Sequence, residues 1–397
     1  MRKKVILFLI SQSVTLFGST LVQMAVVWYA TLLTSSGLWV AAFSVCSYFP
    51  QFLVSFWGGV WADRFPRKWL IARTDAAIAA VTLAMAAAIP HIQDPTALLF
   101  LLLLMSAVRS LGAGIQTPAV HAVLPQLVPE EQLMRVNGIN AALQSLVQFA
   151  APAAAGAVLV SFSLRSTFLI DVLTAVLGIG LLCLVPIPFR RLPEKKTSAF
   201  QELKSGISYA VSHRDVGTLL LIYGGFVFLC VPAGYLSGLF VSRVYGESYG
   251  YLTAVELAGF AGMTAGGLLA ACRGQSRKKT RTLRNSLTVF GTMAILMAVS
   301  CRFLPYLLLM GVYGVALTGV QTALTTLLQE RTGVSMQGRI FGLFSSMYSG
   351  FMPLGMAVFG PLADHIPLRI LMIFSGAALI GLGKCSCAIK YPAKRRC

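Results

Sequence analysis

The chain has 397 residues, 57% hydrophobic and only 11% charged, with a mean hydropathy of +0.77. Soluble domains carry about 25% charged residues and need polar surface to stay dissolved, so a soluble globular class is excluded. The net charge of +19 would suggest nucleic acid in a soluble protein, but no basic run is interleaved with stacking aromatics, and RNA or DNA binding is not expected.

Apolar stretches long enough to cross a bilayer are predicted in chain order. The first six lie at 5–33, 38–61, 69–89, 96–120, 137–160 and 166–185. A connector at 186–215 precedes further spans at 216–241 and 249–272. Two more share a turn at 302–305, and the last two lie at 340–360 and 366–388. The first stretch is too long for a cleaved signal peptide and reads as a retained span. Trp28 and Trp39 mark one boundary and Trp57, Trp61 and Trp69 the other, as an aromatic belt requires.

Of the 32 Lys and Arg, only Arg165, Arg243, Arg302 and Arg369 map to one side, and Arg109 lies within a span. The rest share the opposite side. The positive-inside rule makes the rich side cytoplasmic and puts both termini there, with twelve crossings of the inner membrane. The fold class is therefore an all-α membrane protein of twelve transmembrane helices. Residues 1–188 form a first six-helix bundle, 189–215 the connector and 216–397 a second bundle. In the connector, Phe200, Leu203, Ile207 and Val211 share one face of a predicted helix that would lie along the inner leaflet.

The two halves repeat. Gly58, Gly59 and Ala62 return as Gly266, Gly267 and Ala270. Gly114, Gln116 and Thr117 return as Gly319, Gln321 and Thr322, and Pro152 returns as Pro353, all at nearly constant separation. Parallel six-span repeats place a solute site at their interface near the bilayer midplane.

The loop between spans 2 and 3 runs Gly59-Val-Trp-Ala62-Asp63-Arg64-Phe-Pro-Arg67-Lys68. Asp63 can hold basic neighbours or cap a facing helix N-terminus. Arg64, Arg67 and Lys68 suit the anionic inner leaflet or cytoplasmic carboxylates.

Within the spans stand Arg109, Glu256, Asp171 and Asp75. A charge at membrane depth faces the bundle interior or water, and a carboxylate there can be tuned to exchange protons. Arg109, Glu256 and Asp171 are the candidates for proton coupling or substrate contact, with Arg109 and Glu256 expected to face the central cavity. Asp75, close in sequence to Arg73 and the basic loop, reads as a structural pair. Gln23, Gln116, Asn140, Gln144, Gln148 and Gln321 are candidate cavity-lining amides. Asn140, Gln144 and Gln148 recur every four residues and so share a helix face.

The eight cysteines have no metal-ligand spacing. No Gly-x4-Gly-Lys-Ser/Thr loop is present, so ATP is not the direct energy source. No metal and no cofactor is expected.

The 2–3 loop resembles the signature Gly-x3-Asp-Arg-x-Gly-Arg-Lys of the major facilitator superfamily, with Pro66 where Gly is usual. Span 4, from Arg109 through Gly112 and Gly114 to Pro118, is similar to that family's membrane-embedded arginine motif, with shifted glycine spacing. Span 5, from Gly138 through Val147, Ala151 and Pro152 to Gly156, keeps the spacing of the antiporter motif but replaces three of its glycines with Val or Ala. The segments LVPEEQLMRVNGIN, GRIFGLFSSMYS and GPLAD resemble the macrolide-efflux-like branch.

This resemblance implies two pseudo-symmetric six-helix bundles and a monomer in the inner membrane, in contact with lipid. It implies secondary active efflux by alternating access, with protons exchanged for an amphipathic drug. Gly59, Asp63, Arg64, Arg67 and Lys68 would form a gating loop. Its second-half copy has Ala271 where Asp63 would fall. A defined metabolite, such as a siderophore or a lipid, is the alternative cargo. An enzyme or a receptor without transport is the third reading. No nucleophile–base pair or sizeable soluble domain supports an enzyme, and the two-fold repeat argues against a receptor.

Overall fold

The computed structural model describes residues 3–187, 199–273, 279–333 and 336–385. Among these there is no strand. In a bilayer every backbone donor and acceptor must be satisfied within the protein, and long apolar segments meet that demand as helices. Six helices fill the first half: α1 (Lys3–Thr34), α2 (Gly37–Arg64), α3 (Arg67–Ala88), α4 (Pro95–Leu127), α5 (Glu130–Ser161) and α6 (Leu164–Cys183). A shorter helix, α7 (Ala199–Ser212), follows. Then come α8 (Arg214–Leu229), α9 (Ser237–Val244), α10 (Tyr249–Arg273), α11 (Lys279–Val299), α12 (Phe303–Arg331), α13 (Gln337–His365) and α14 (Leu368–Cys385). Nine helices among the described residues are long and apolar enough to cross a membrane. The first residues of α4 show how a helix starts. Asp94 accepts from the Thr96 and Ala97 N–H groups, and Pro95 occupies the first turn, where a missing N–H costs nothing.

The chain divides into two compact units. Unit 1 comprises Met1–Ser35, Trp39–Lys195 and Glu247–Thr253; unit 2 comprises Ser36–Leu38, Lys196–Gly246 and Ala254–Cys397. Their internal packing repeats. In unit 1, α1 packs on α4, α5 and α6, while α3 packs on α4 and α6. In unit 2, α8 packs on α12, α13 and α14, while α11 packs on α12 and α14. The paired glycines Gly58 and Gly266 lie at close approaches, while Gly267 faces open space. A Cβ on Gly58 would stand 2.5 Å from the Gly114 carbonyl oxygen, and one on Gly266 would stand 2.9 Å from the Val315 carbonyl oxygen. Small residues let helix backbones approach this closely.

Each unit has an apolar interior. Phe8, Leu9, Ile71, Val123, Leu124 and Leu182 pack together in unit 1. In unit 2, Phe290 stacks on Tyr313 at 3.8 Å and meets Phe226 at 5.0 Å. Leu104, Leu173, Leu308 and Phe374 are exposed, as lipid-facing residues of a spanning bundle should be. On α7, Ile207 and Val211 are exposed too, on the apolar face expected to rest on the inner leaflet.

Span 7 differs from its expectation as a continuous helix at 216–241. It is broken into α8 and α9 by turns at 230–236. Pro232 has no N–H to donate, and the Leu236 N–H bonds to the Val231 carbonyl five residues back. Most of the turn is buried, the setting in which non-helical backbone is tolerated at membrane depth.

Unit 2 also contains an anchored turn. Asp364, beyond the expected end of span 11 at Gly360, accepts from the Gly37 N–H (2.7 Å), the Leu38 N–H (2.9 Å) and the Ser36 hydroxyl (2.7 Å). Arg243 pairs with it at 2.7 Å. The carboxylate thus sits on the first N–H groups of α2, where an anion is favoured.

Candidate functional site

A polar layer crosses unit 1. Arg109 Nη1 on α4 donates to Asp171 Oδ2 on α6 at 2.5 Å and to the Thr82 hydroxyl on α3. Its Nη2 donates to the Ser19 hydroxyl on α1 at 3.4 Å. Four helices therefore meet at one guanidinium. Arg109 is 9% exposed and Asp171 2%. Gly18 makes room for the pair: a Cβ there would stand 2.0 Å from Thr174 Oγ1 and 2.9 Å from Asp171 Oδ1. An arginine expected to face the central cavity is turned into its own unit instead. The physical reason is that Asp171, Thr82 and Ser19 can neutralise and solvate it there.

A second polar pair lies two helical turns along α4. Gln116 Nε2 donates to Asp75 Oδ1 at 2.7 Å. Asp75 is buried, and its Oδ2 has no hydrogen-bond partner. The expected association with Arg73 does not form. Residues two apart on a helix point about 200° away from each other, so Arg73 is exposed while Asp75 turns inward.

The basic loop is built from helix ends. Arg67 is buried, and donates to the carbonyls of Ala62 (2.9 Å) and Ala122 (2.6 Å) near the C-termini of α2 and α4. Lys68 donates to the carbonyls of Cys183 (2.7 Å) and Val185 (3.0 Å) at the end of α6. Ala62, Cys183 and Val185 lie at or past helix C-termini, where carbonyls lack an intrahelical donor, so the cations satisfy them and oppose the helix dipole. Arg64 is exposed. The side chains of Gly59, Asp63 and Ala271 lie outside the described ones.

In unit 2, Glu256 is half-buried on α10, and no ion pair or hydrogen bond reaches its carboxylate among the described residues. Also in unit 2, Tyr306 on α12 is fully buried, stacked on Phe240 at 5.4 Å and without a partner for its hydroxyl. At the break in span 7, the Tyr235 and Tyr348 hydroxyls bond at 2.6 Å. Of the amides, Gln144, Gln148 and Gln321 are exposed, while Gln23, Gln116 and Asn140 are half-buried.

Sequence reasoning did not single out Ser19, Thr82, Tyr306 or Asp364. Hydroxyls are common in spans and carry no signal until a partner is known. Asp364 was visible only as part of a family-like segment.

The paired packing of two helical units, with buried charges at membrane depth, has a counterpart among known families. The model for the Major Facilitator Superfamily matches residues 8–356. The chain belongs to this superfamily. It is a multi-pass membrane transporter of twelve spans, with α8 and α9 together forming the seventh. A relative, macrolide efflux protein A of Streptococcus pyogenes, is 28% identical over 377 residues, covering 93% of this chain and 91% of that protein. The staphyloferrin A transporter of Staphylococcus aureus is 24% identical over 233 residues, covering 55% of this chain and 56% of its own. Among solved structures, the nucleoside transporter NupG superposes with a TM-score of 0.76 at 12% identity, over 98% of this chain and 100% of that one. That last likeness concerns the fold.

Proposed function

We propose that this transporter is a proton-coupled exporter of amphipathic small molecules in the cytoplasmic membrane, acting as a monomer with both termini inside. The observation that carries the reading is the similarity to macrolide efflux protein A along nearly the whole of both chains. The two units, joined by residues 189–215, rock to expose a cargo site alternately to each side. Glu256 loads a proton from outside and releases it inside, and cargo and proton alternate because their binding equilibria are linked. Its half-buried, unpartnered carboxylate supports this role. Asp63 and Arg64 act as a gate at the cytoplasmic end, on a loop that Arg67 and Lys68 staple to three helix C-termini. The exposed amides Gln144, Gln148 and Gln321 line the cargo path.

The test is uphill export from proteoliposomes under an imposed pH gradient, using a macrolide as the first cargo. The wild-type chain should concentrate it. Glu256→Gln keeps the shape but removes the titration, and should abolish gradient-driven export while still binding cargo. Asp63→Asn should slow turnover with little change in cargo affinity. Gradient-driven export that survives Glu256→Gln would remove that residue from the coupling path.

The likeness to the staphyloferrin A transporter favours a second reading, export of a siderophore-like metabolite. Under it, the same vesicles accumulate a siderophore and ignore the macrolide.

A further inference from the structure

The coupling scheme above leaves the buried carboxylate of Asp75 unused and without a counter-ion. Asp75 sits in α3 with only 6% exposure. One oxygen takes the Gln116 amide at 2.7 Å and the other takes nothing. The elements packed on α3 are α4, α6 and the short turn Ile89–His91 that follows it. The buried charged groups on those elements are Arg109 on α4 and Asp171 on α6, which are paired with each other. The Arg109 guanidinium is already held by Asp171, Thr82 and Ser19. His91 and His121 are exposed, away from the buried pair. A carboxylate ionised at this depth would be left with one bare oxygen and no counter-ion of its own. In an apolar interior such a group must acquire something that neutralises it. Within the polar layers of unit 1 the smallest such species is a proton.

We propose that Asp75 is a proton-binding site inside the first bundle, oriented by Gln116 and separated from the Arg109–Asp171 pair by about 10 Å along the helix axis, the rise of two turns. Protonation places a hydrogen on Oδ2 and removes the bare charge; release restores it. The neighbouring ion pair feels each change through the low-dielectric interior. The inference deepens the export reading by adding a second titrating carboxylate, in the unit that does not hold Glu256.

Infrared difference spectra of the full chain in lipid nanodiscs, taken between acid and alkaline buffers, read the site directly. A protonated buried carboxyl gives a C=O stretching band. In the Glu256→Gln background, where the other titrating carboxyl is gone, that band should remain, and it should be lost when Asp75→Asn is added. Should Asp75→Asn fail to fold, Gln116→Leu tests the same site, because loss of the amide donor must move the midpoint at which the band titrates. In the Glu256→Gln background, a band that survives Asp75→Asn, or a midpoint unmoved by Gln116→Leu, overturns the proposal. So does a spectrum that responds to sodium at fixed pH rather than to pH. The two readings separate cleanly. Proton-driven export together with a band indifferent to Asp75 sinks the Asp75 site alone. A band that depends on Asp75, in a chain showing no proton-driven export, leaves the site standing and sinks the coupling.

Discussion

At the scale of single residues, the decisive feature is the pair Arg109–Asp171. Either charge alone at membrane depth is expensive, and removing one partner strands the other. Loss of one member of a buried pair typically costs about 3–5 kcal/mol. Arg109→Met and Asp171→Asn should therefore each lower the thermal unfolding midpoint of the purified protein substantially. The double variant Arg109→Met with Asp171→Asn should be less destabilised than the two single effects added together, because no charge is left unpaired. Additive losses would mean that the pair contributes little as a unit. Arg109, Asp171 and Asp75 were legible as intramembrane charges, since ionisable residues stand out against apolar spans, whereas the burial of Arg67 was not. The partners of those three were not legible, because Arg109 and Asp171 lie 62 residues apart and nothing local couples them. Asp75 was assigned to the wrong neighbour for the same reason: proximity in sequence is not proximity on a helix.

At the scale of elements, the start of α2 depends on a residue far along the chain. Asp364 caps it with two backbone donors, a hydroxyl and Arg243. Burial pushes its carboxyl up, but the Leu38 and Gly37 N–H groups, the Ser36 hydroxyl and Arg243 outweigh burial and hold it below its ordinary value of 3.8. A carboxylate depressed on folding stabilises the folded state fully above its unfolded value, and that contribution is lost as pH falls through the lower, folded value. The wild type should therefore be more heat-stable than Asp364→Asn from neutral pH down to about pH 4, and the gap should close on further acidification. A gap independent of pH down to about pH 2 would show that the charge on Asp364 does not hold the cap. The helices themselves were readable from hydropathy, but their ends were not always: α4 runs on to Leu127 past the expected end at Val120, and α5 starts at Glu130 ahead of the expected start at Asn137. The break in span 7 was not read, although Pro232 and Gly234 stand there, because prolines at 50, 118, 152 and 353 lie inside unbroken helices of the same chain. A proline leaves the choice between kink and break to the surrounding packing.

For the whole molecule, topology follows from charge. Under the proposed topology, with nearly all Lys and Arg on the cytoplasmic side, a reporter fused after Val160 should read outside and one after Lys195 inside. The opposite pattern would overturn the assignment of twelve crossings with cytoplasmic termini. The two-fold repeat was visible as three motif pairs, and the structure extends it to the packing of helices within each unit. Gly58 and Gly266 each lie where two helices touch, so the repeated glycines record repeated contacts.

The sequence by itself determined the membrane class, the number of spans, the internal repeat and the membership of a transporter family. Each of these is written in local quantities, namely hydropathy over about 20 residues, the sidedness of charge, and short motifs. Only the tertiary structure decided which charges meet. It joined Arg109 to Asp171, gave Gln116 to Asp75 and left Asp75 Oδ2 bare, set Arg67 and Lys68 on helix C-termini, and brought Asp364 to the first turn of α2. Those choices depend on how helices distant in sequence are rotated and packed. That rotation is settled by the summed fit of whole faces, which no window of the sequence contains.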